Sequence, residues 1–161
     1  GADTGDLLSQ REVPIHWEDD ARSLYDRLMD VAREQVSTFT PQLAAREFSR
    51  EPQEDEKANY WRKRSREDGE VDWRMSSASV YNLIRALARP YPGAHCMVDG
   101  KEVKLWAASV VDDQFENVDH LEPGKVLASG SERIAVKCGE GVVAVQEHEF
   151  DTIPDTGAYL R

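Results

Sequence analysis

The period of the apolar residues changes at residue 94, and that change constrains the fold more than any other feature of the chain. Before it, Val80, Leu83, Ile84 and Leu87 recur at i, i+3, i+4 and i+7, the stripe of a helix buried on one side. The spacing predicts a helix over 78–88, and Ser76 or Ser77 can cap it by accepting from a free N–H of its first turn. Arg89-Pro90-Tyr91-Pro92-Gly93 then stops it, because proline has no N–H to continue the ladder. After the change, His95-Cys96-Met97-Val98, the turn Asp99-Gly100 and the run Glu102–Val111 read as a β-hairpin.

Val126-Leu127-Ala128, Ile134–Cys138 and Val142–Gln146 continue the strand pattern, separated by turns at Ser129-Gly130-Ser131 and Gly139-Glu140-Gly141. Five short strands with glycine turns predict a small, OB-like β-barrel. The front half is helical instead. Pro14 argues for a strand end near an extended opening, and Asp19 or Asp20 can cap the helix predicted over 20–36 by Leu24, Tyr25, Leu28, Val31 and Ala32. A second helical piece is expected from Pro41 to about Phe48, with the proline in its first turn. The run 50–57 has almost no apolar content and reads as an exposed linker. The expected class is α+β, with parts at 1–53, 54–93 and 94–161.

A chain of 161 residues, 32% charged and 40% hydrophobic, can bury a real core. No apolar run approaches the roughly 20 residues needed to span a bilayer, so a cytoplasmic protein without a membrane partner is expected. Cys96 and Cys138 lie far apart and are expected as buried thiols; a disulfide between them is the alternative. Four histidines show no HxH or HExxH spacing, so no metal site is expected, and GxSxG, P-loop and GxGxxG motifs are missing. The net charge of −11 argues against a general nucleic-acid binder.

A local phosphate site is still compatible with that charge. Tyr60-Trp61-Arg62-Lys63-Arg64-Ser65-Arg66 places flat rings beside concentrated positive charge, ahead of Asp68-Gly69, read as a turn in which glycine supplies positive φ. The alternative is a polar linker with Trp73 buried. At the start, Asp3 and Asp6 are neighbouring carboxylates in a glycine turn; they can orient a histidine, take a proton or serve the turn alone. His148, in Gln146-Glu147-His148-Glu149, is expected as an exposed strand-end residue.

The motifs in this order resemble a known family. Asp3-Thr4-Gly5-Asp6 with the helix carrying Leu24-Tyr25-Asp26-Arg27-Leu28 looks like the last part of a formyltransferase catalytic domain. Asp68-Gly69-Glu70-Val71-Asp72-Trp73, the helix Val80–Leu87 and Arg89-Pro90-Tyr91-Pro92-Gly93-Ala94 look like the linker and the start of its C-terminal barrel. The resemblance implies transfer of a formyl group from 10-formyltetrahydrofolate to an amine, with a remnant of the α/β catalytic domain preceding the barrel. By it, Asp3 corresponds to the aspartate of an Asp-x-Gly motif, which holds the catalytic histidine in its useful protonation state and helps remove a proton from the amine. The family's Asn/His pair, its His-x-Ser-Leu-Leu-Pro loop and most of the folate site would lie upstream of this motif and are not in the chain. The polypeptide alone is therefore expected to be inactive.

Two branches of the family compete. The run Tyr60–Gly69 resembles the aromatic and arginine pattern of sugar N-formyltransferases, including those acting on UDP-4-amino-4-deoxy-L-arabinose. That resemblance implies a nucleotide-linked amino sugar as partner, with Arg64 on its phosphates and Tyr60, Asn82, Arg85 and Tyr91 around the same pocket. The sparse lysines and arginines among the acids of 101–161 agree, since binding tRNA needs many phosphate contacts. The alternatives are a methionyl-tRNA formyltransferase or a non-catalytic binding or oligomerisation module, and a homodimer or larger assembly is compatible with either.

Overall fold

The computed structural model describes residues 3–161, which fall into two units. One comprises the described residues up to Asp19 with Ser23–Lys63; the other comprises Asp20–Arg22 with Arg64–Arg161.

The first unit is built on one helix, α1 (Ala21–Ala45). Sequence spacing suggests a break at Pro41, but the helix runs through it. Proline removes one intrahelical bond, and hydroxyls nearby occupy neighbouring carbonyls: Thr38 donates to Glu34 O at 2.9 Å and Thr40 to Val36 O at 2.6 Å. The extended opening is reduced to one isolated antiparallel bridge, Leu7 with Glu51. Side chains do the rest of the tethering. Asp19 is buried, takes both nitrogens of Arg27 at 2.8 and 2.6 Å and accepts from His16 N at 2.7 Å, while Arg27 also donates to Pro14 O. The apolar stripe of α1 stays largely open, with Leu28 45% and Val36 51% exposed.

The second unit opens with a 3-10 turn, Arg66–Gly69, closed by a capping box in which Ser65 N donates to Asp68 Oδ2 at 2.7 Å. Gly69 lies outside the left-handed region, so positive φ is not why glycine stands there. A Cβ there would come within 3.3 Å of Leu87 Cδ1 and 3.5 Å of His95 Nδ1, a close fit that a small shift of the leucine tip relieves. Helix α2 (Ser77–Ala86) follows, capped by Ser76, whose side chain accepts from Ser79 N. Its apolar stripe buries Val80 and Ile84 completely, about 1.5–3 kcal/mol each by area.

Five antiparallel strands complete the unit: β1 (Ala94–Val98), β2 (Lys101–Val110), β3 (Val126–Ser129), β4 (Ile134–Lys137) and β5 (Val142–His148). Asp99 and Gly100 both take positive φ (50° and 77°) and join Val98 to Lys101, the tight hairpin that Asp-Gly signals. The sheet order is β1-β2-β5-β4-β3, and among the described residues no ladder joins β1 to β3, so a closed barrel is not what the strands form. The C-terminal segment instead reaches both edges. Val126 N donates to Ala158 O (2.8 Å) and Leu160 N to Gly124 O (2.9 Å) on the β3 side, and Met97 N of β1 donates to Arg161 O at 2.7 Å. The sheet buries both faces: Ala94, Cys96, Leu105, Ile134, Val136, Val143 and Val145 pack with α2 and Trp73, while Val111, Ala135, Val142 and Ala144 lie under Phe115, Val118 and Leu127.

His148 departs from its expectation, the two cysteines meet theirs, and Lys137 adds a buried charge. Lys137, a charge inside a strand, is fully buried because its ammonium donates to Cys138 O and Gly139 O, carbonyls of the next turn. His148 is half-buried, edge-on to Phe150 with ring centroids 4.8 Å apart, and that burial pushes its pKa down. Cys96 and Cys138 are free and buried, each pushed up to about 12 by burial.

Candidate functional site

In the second unit a cavity of about 550 Å³ lies between the 3-10 turn, α2 and the β1–β2 hairpin. That volume is typical of sites for small molecules. Leu83, Ala86 and Leu87 of α2 with Pro92 and Gly93 make an apolar floor, and Arg64, Arg66, Asp68, His95 and Lys104 supply the polar wall. Each is placed by a local rule. Positions 83, 86 and 87 share one helical face. His95 and Lys104 are directly paired across the hairpin, so their side chains leave the sheet on the same side, and Glu102 shares that side at i−2 from Lys104.

Electrostatics in the wall centre on Glu102. Lys104 Nζ lies 2.6 Å from its Oε1, Arg66 pairs with its Oε2, and His95 Nε2 stands 3.8 Å from the same oxygen. The hydrogen bond from Lys104, with further help from Arg66, holds the Glu102 carboxyl below the usual range despite partial desolvation. Arg64 Nη1 is 3.7 Å from Asp68 Oδ1.

Of the residues expected to bind substrate, Arg64 alone lines this cavity. Asn82 and Arg85 lie on another face of α2: Arg85 Nε donates to Asn82 Oδ1 at 2.8 Å, and its guanidinium sits 5.4 Å from the Tyr81 ring centroid. Tyr91, 51% exposed, follows the helix outside the cavity lining. In the first unit Tyr60 is 93% exposed. Asp3 is exposed on a left-handed turn (φ 62°), its carbonyl accepting from Gln53 Nε2 at 3.0 Å. Sequence reasoning passed over His95, Arg66 and Lys104 as site residues. The pairing of His95 with Lys104 was available from the Asp99-Gly100 turn, which fixes the register. Among the described residues, no three His, Cys, Asp or Glu side chains gather as a metal site, and no helix is long and apolar enough to cross a membrane.

Comparison with known proteins extends the picture. Residues 63–154 match the family model described as formyl transferase, C-terminal domain. The methionyl-tRNA formyltransferase of Caldanaerobacter subterraneus subsp. tengcongensis is 39% identical over 147 residues, covering 91% of this chain and 46% of that protein. That of Geobacter sulfurreducens is 37% identical over 151 residues, covering 94% of this chain and 45% of that one. The chain thus spans about half the length of the curated relatives it matches. Among solved structures, a variant of HypX from Aquifex aeolicus superposes with a TM-score of 0.67 at 25% identity, covering 93% of this chain and 25% of that chain. The N-formyltransferase from Helicobacter canadensis, in complex with folinic acid and dTDP-3-aminofucose, shares the fold with a TM-score of 0.64 at 16% identity over 91% of this chain and 51% of that chain.

Proposed function

Because the chain belongs to the formyl transferase C-terminal domain family, we propose that it is part of an enzyme moving a formyl group from 10-formyltetrahydrofolate to the amine of methionyl-tRNA. The observation that carries this reading is the 39% and 37% identity to methionyl-tRNA formyltransferases over more than nine-tenths of the chain. It supports this branch over the amino-sugar branch favoured by the pattern at Tyr60–Gly69.

Formyl transfer to an amine needs a neutral nitrogen, a base for its proton and donors for the tetrahedral oxyanion. In this reading Asp3 orients the base, a histidine of the catalytic half. Asp3 stands exposed on its turn. The formyl donor is left to the residues that precede the Asp-x-Gly motif in the family. The second unit contributes cations to the polynucleotide, Arg64 and Arg66 first among them, against a net charge of −11.

The test is a chimaera in which this chain replaces the corresponding part of the Caldanaerobacter methionyl-tRNA formyltransferase. Formylation of methionyl-tRNA, lost on Asp3→Ala, is the expected outcome. A chimaera that formylates a UDP- or dTDP-linked amino sugar and ignores methionyl-tRNA overturns it. That second reading is favoured by Arg64 at the wall of a cavity sized for a small molecule, and by the acidity of 101–161. In it, Arg64 holds the sugar nucleotide's phosphates, with Asn82, Arg85, Tyr91 and Tyr60 as further contacts.

A further inference from the structure

Tyr60 and Trp61 are the two most exposed large apolar side chains among the described residues, at 93% and 80%. Single apolar residues on a surface are ordinary, but two adjacent aromatic rings left to water mark a place for a partner. Both belong to the first unit, on a stretch, 58–63, that takes neither helix nor strand. Trp61 Nε1 donates to Asn59 Oδ1 at 2.8 Å, a local bond that orients the indole and leaves it open.

Charge narrows the partner. From Ala58 to Arg66 the chain carries four cations and no acid. Arg64 and Arg66 are already turned to Asp68 and Glu102. Lys63, two positions after the rings, is exposed, and its ammonium makes no ion pair or hydrogen bond among the described residues. Salt screens charge over about 8 Å at physiological ionic strength, so a ligand on the rings responds to this neighbour more than to the net −11 of the chain. Open rings beside a cation suit the base faces and phosphates of a single strand, whereas a duplex keeps its base faces stacked inside.

We propose that Tyr60 and Trp61 form a stacking platform for successive unpaired bases of an RNA strand, with Lys63 on the adjoining phosphate. The identity of that strand rests on the methionyl-tRNA reading: the platform holds an unpaired part of the substrate and acts by positioning it. Stacking itself does not depend on formyl transfer, so the two readings fail separately.

The experiment titrates the full chain into a fluorescently labelled octaadenylate and reads anisotropy, with a blunt RNA hairpin and uridine monophosphate as unlabelled competitors. Saturable binding of the single strand is expected, with both competitors at least about tenfold weaker. Tyr60→Leu and Trp61→Leu should each weaken binding about tenfold by losing one stacked base, while Tyr60→Phe, which keeps the ring, should stay within about twofold of the parent. Lys63→Gln should reduce the slope of log affinity against log salt by about 0.7. The proposal is overturned if no saturable binding occurs up to roughly 1 mM chain, beyond the weak end of non-specific affinities near 10⁻⁴ M. It is overturned equally if the leucine variants bind like the parent, or if the hairpin or the mononucleotide binds as tightly as the octamer. In a chimaera that formylates methionyl-tRNA, the two leucine changes together should raise KM and keep kcat; an unchanged KM overturns the platform and leaves the transferase reading standing. Ring-dependent binding of the octamer beside an inactive chimaera supports the platform and counts against the transferase reading alone.

Discussion

Asp112 Oδ2 accepts the hydroxyl of Ser77 at 3.1 Å, pinning the first residue of α2 to the loop that leaves β2, 35 positions along the chain. The other oxygen, Oδ1, accepts from Val142 N at 2.6 Å, so one carboxylate ties helix, loop and the start of β5 together. Replacing Asp112 by alanine leaves the N–H of buried Val142 without that acceptor. A loss of about 1–2 kcal/mol is expected, read as a lower midpoint in urea with unchanged m. Asp112→Asn, which keeps an acceptor oxygen, should lose less.

Gly139 lies against the chain just before α2. Its N–H donates to Met75 O at 2.8 Å, and a Cβ there would fall 1.9 Å from Arg74 O and 3.2 Å from Met75 O. Backbone, not a side chain, is the obstacle, so it cannot swing aside. Gly139→Ala should destabilise the second unit by on the order of 3 kcal/mol, whereas Gly130→Ala, whose Cβ meets nothing closer than Arg133 O at 3.7 Å, should change stability by less than about 0.5 kcal/mol. Thermal melts of the two variants check the contrast.

The two thiols should be silent in the folded protein. With pKa values pushed up to about 12 by burial, Cys96 and Cys138 hold only about one part in ten thousand as thiolate at pH 8, and neither is accessible. Native protein is expected to leave iodoacetamide unreacted over hours, and both positions should label on addition of denaturant, as counted by mass spectrometry. Fast labelling of either thiol in the native state would refute their burial.

Much of the second unit was legible because its signals are local. The Val80, Leu83, Ile84, Leu87 stripe, the Asp99-Gly100 turn and the alternation in β1 and β2 each need only neighbours along the chain. What could not be read depends on contacts between distant residues. Gly69 packs closely against Leu87 and His95, Lys137 is buried because the Cys138 and Gly139 carbonyls turn back to meet it, and the edges of the sheet meet a tail some sixty residues from β1. The site shows the same division. Arg64 stands out in its basic run, whereas His95 looks like any strand residue until the hairpin register sets it beside Lys104. The opposite error occurred at Pro41, where a strong local breaker was overridden by the helix around it.

Acid should reveal the Asp19–Arg27 pair. Hydrogen bonds from Arg27, then from His16 N, hold the Asp19 carboxyl well below the usual carboxylate range. A carboxyl depressed in the folded state stabilises fully above its unfolded pKa, near 3.9, and that contribution is lost as pH falls below it. The melting difference between the parent and Asp19→Asn, followed through the α1 helical signal, should be large at pH 7 and shrink towards pH 2. A difference that stays constant over that range would mean the pair does not titrate with folding.

The way residues 158–161 bond to both edge strands has a consequence for association. An uncovered edge offers a row of free N–H and C=O groups to any other chain, and sheet proteins that expose one tend to stack. Here one short segment occupies Gly124 and Val126 on one side and Met97 on the other. Cutting the chain after Gly157 would therefore unmask two templates at once, and a unit that is self-contained with its tail would become one that recruits copies of itself.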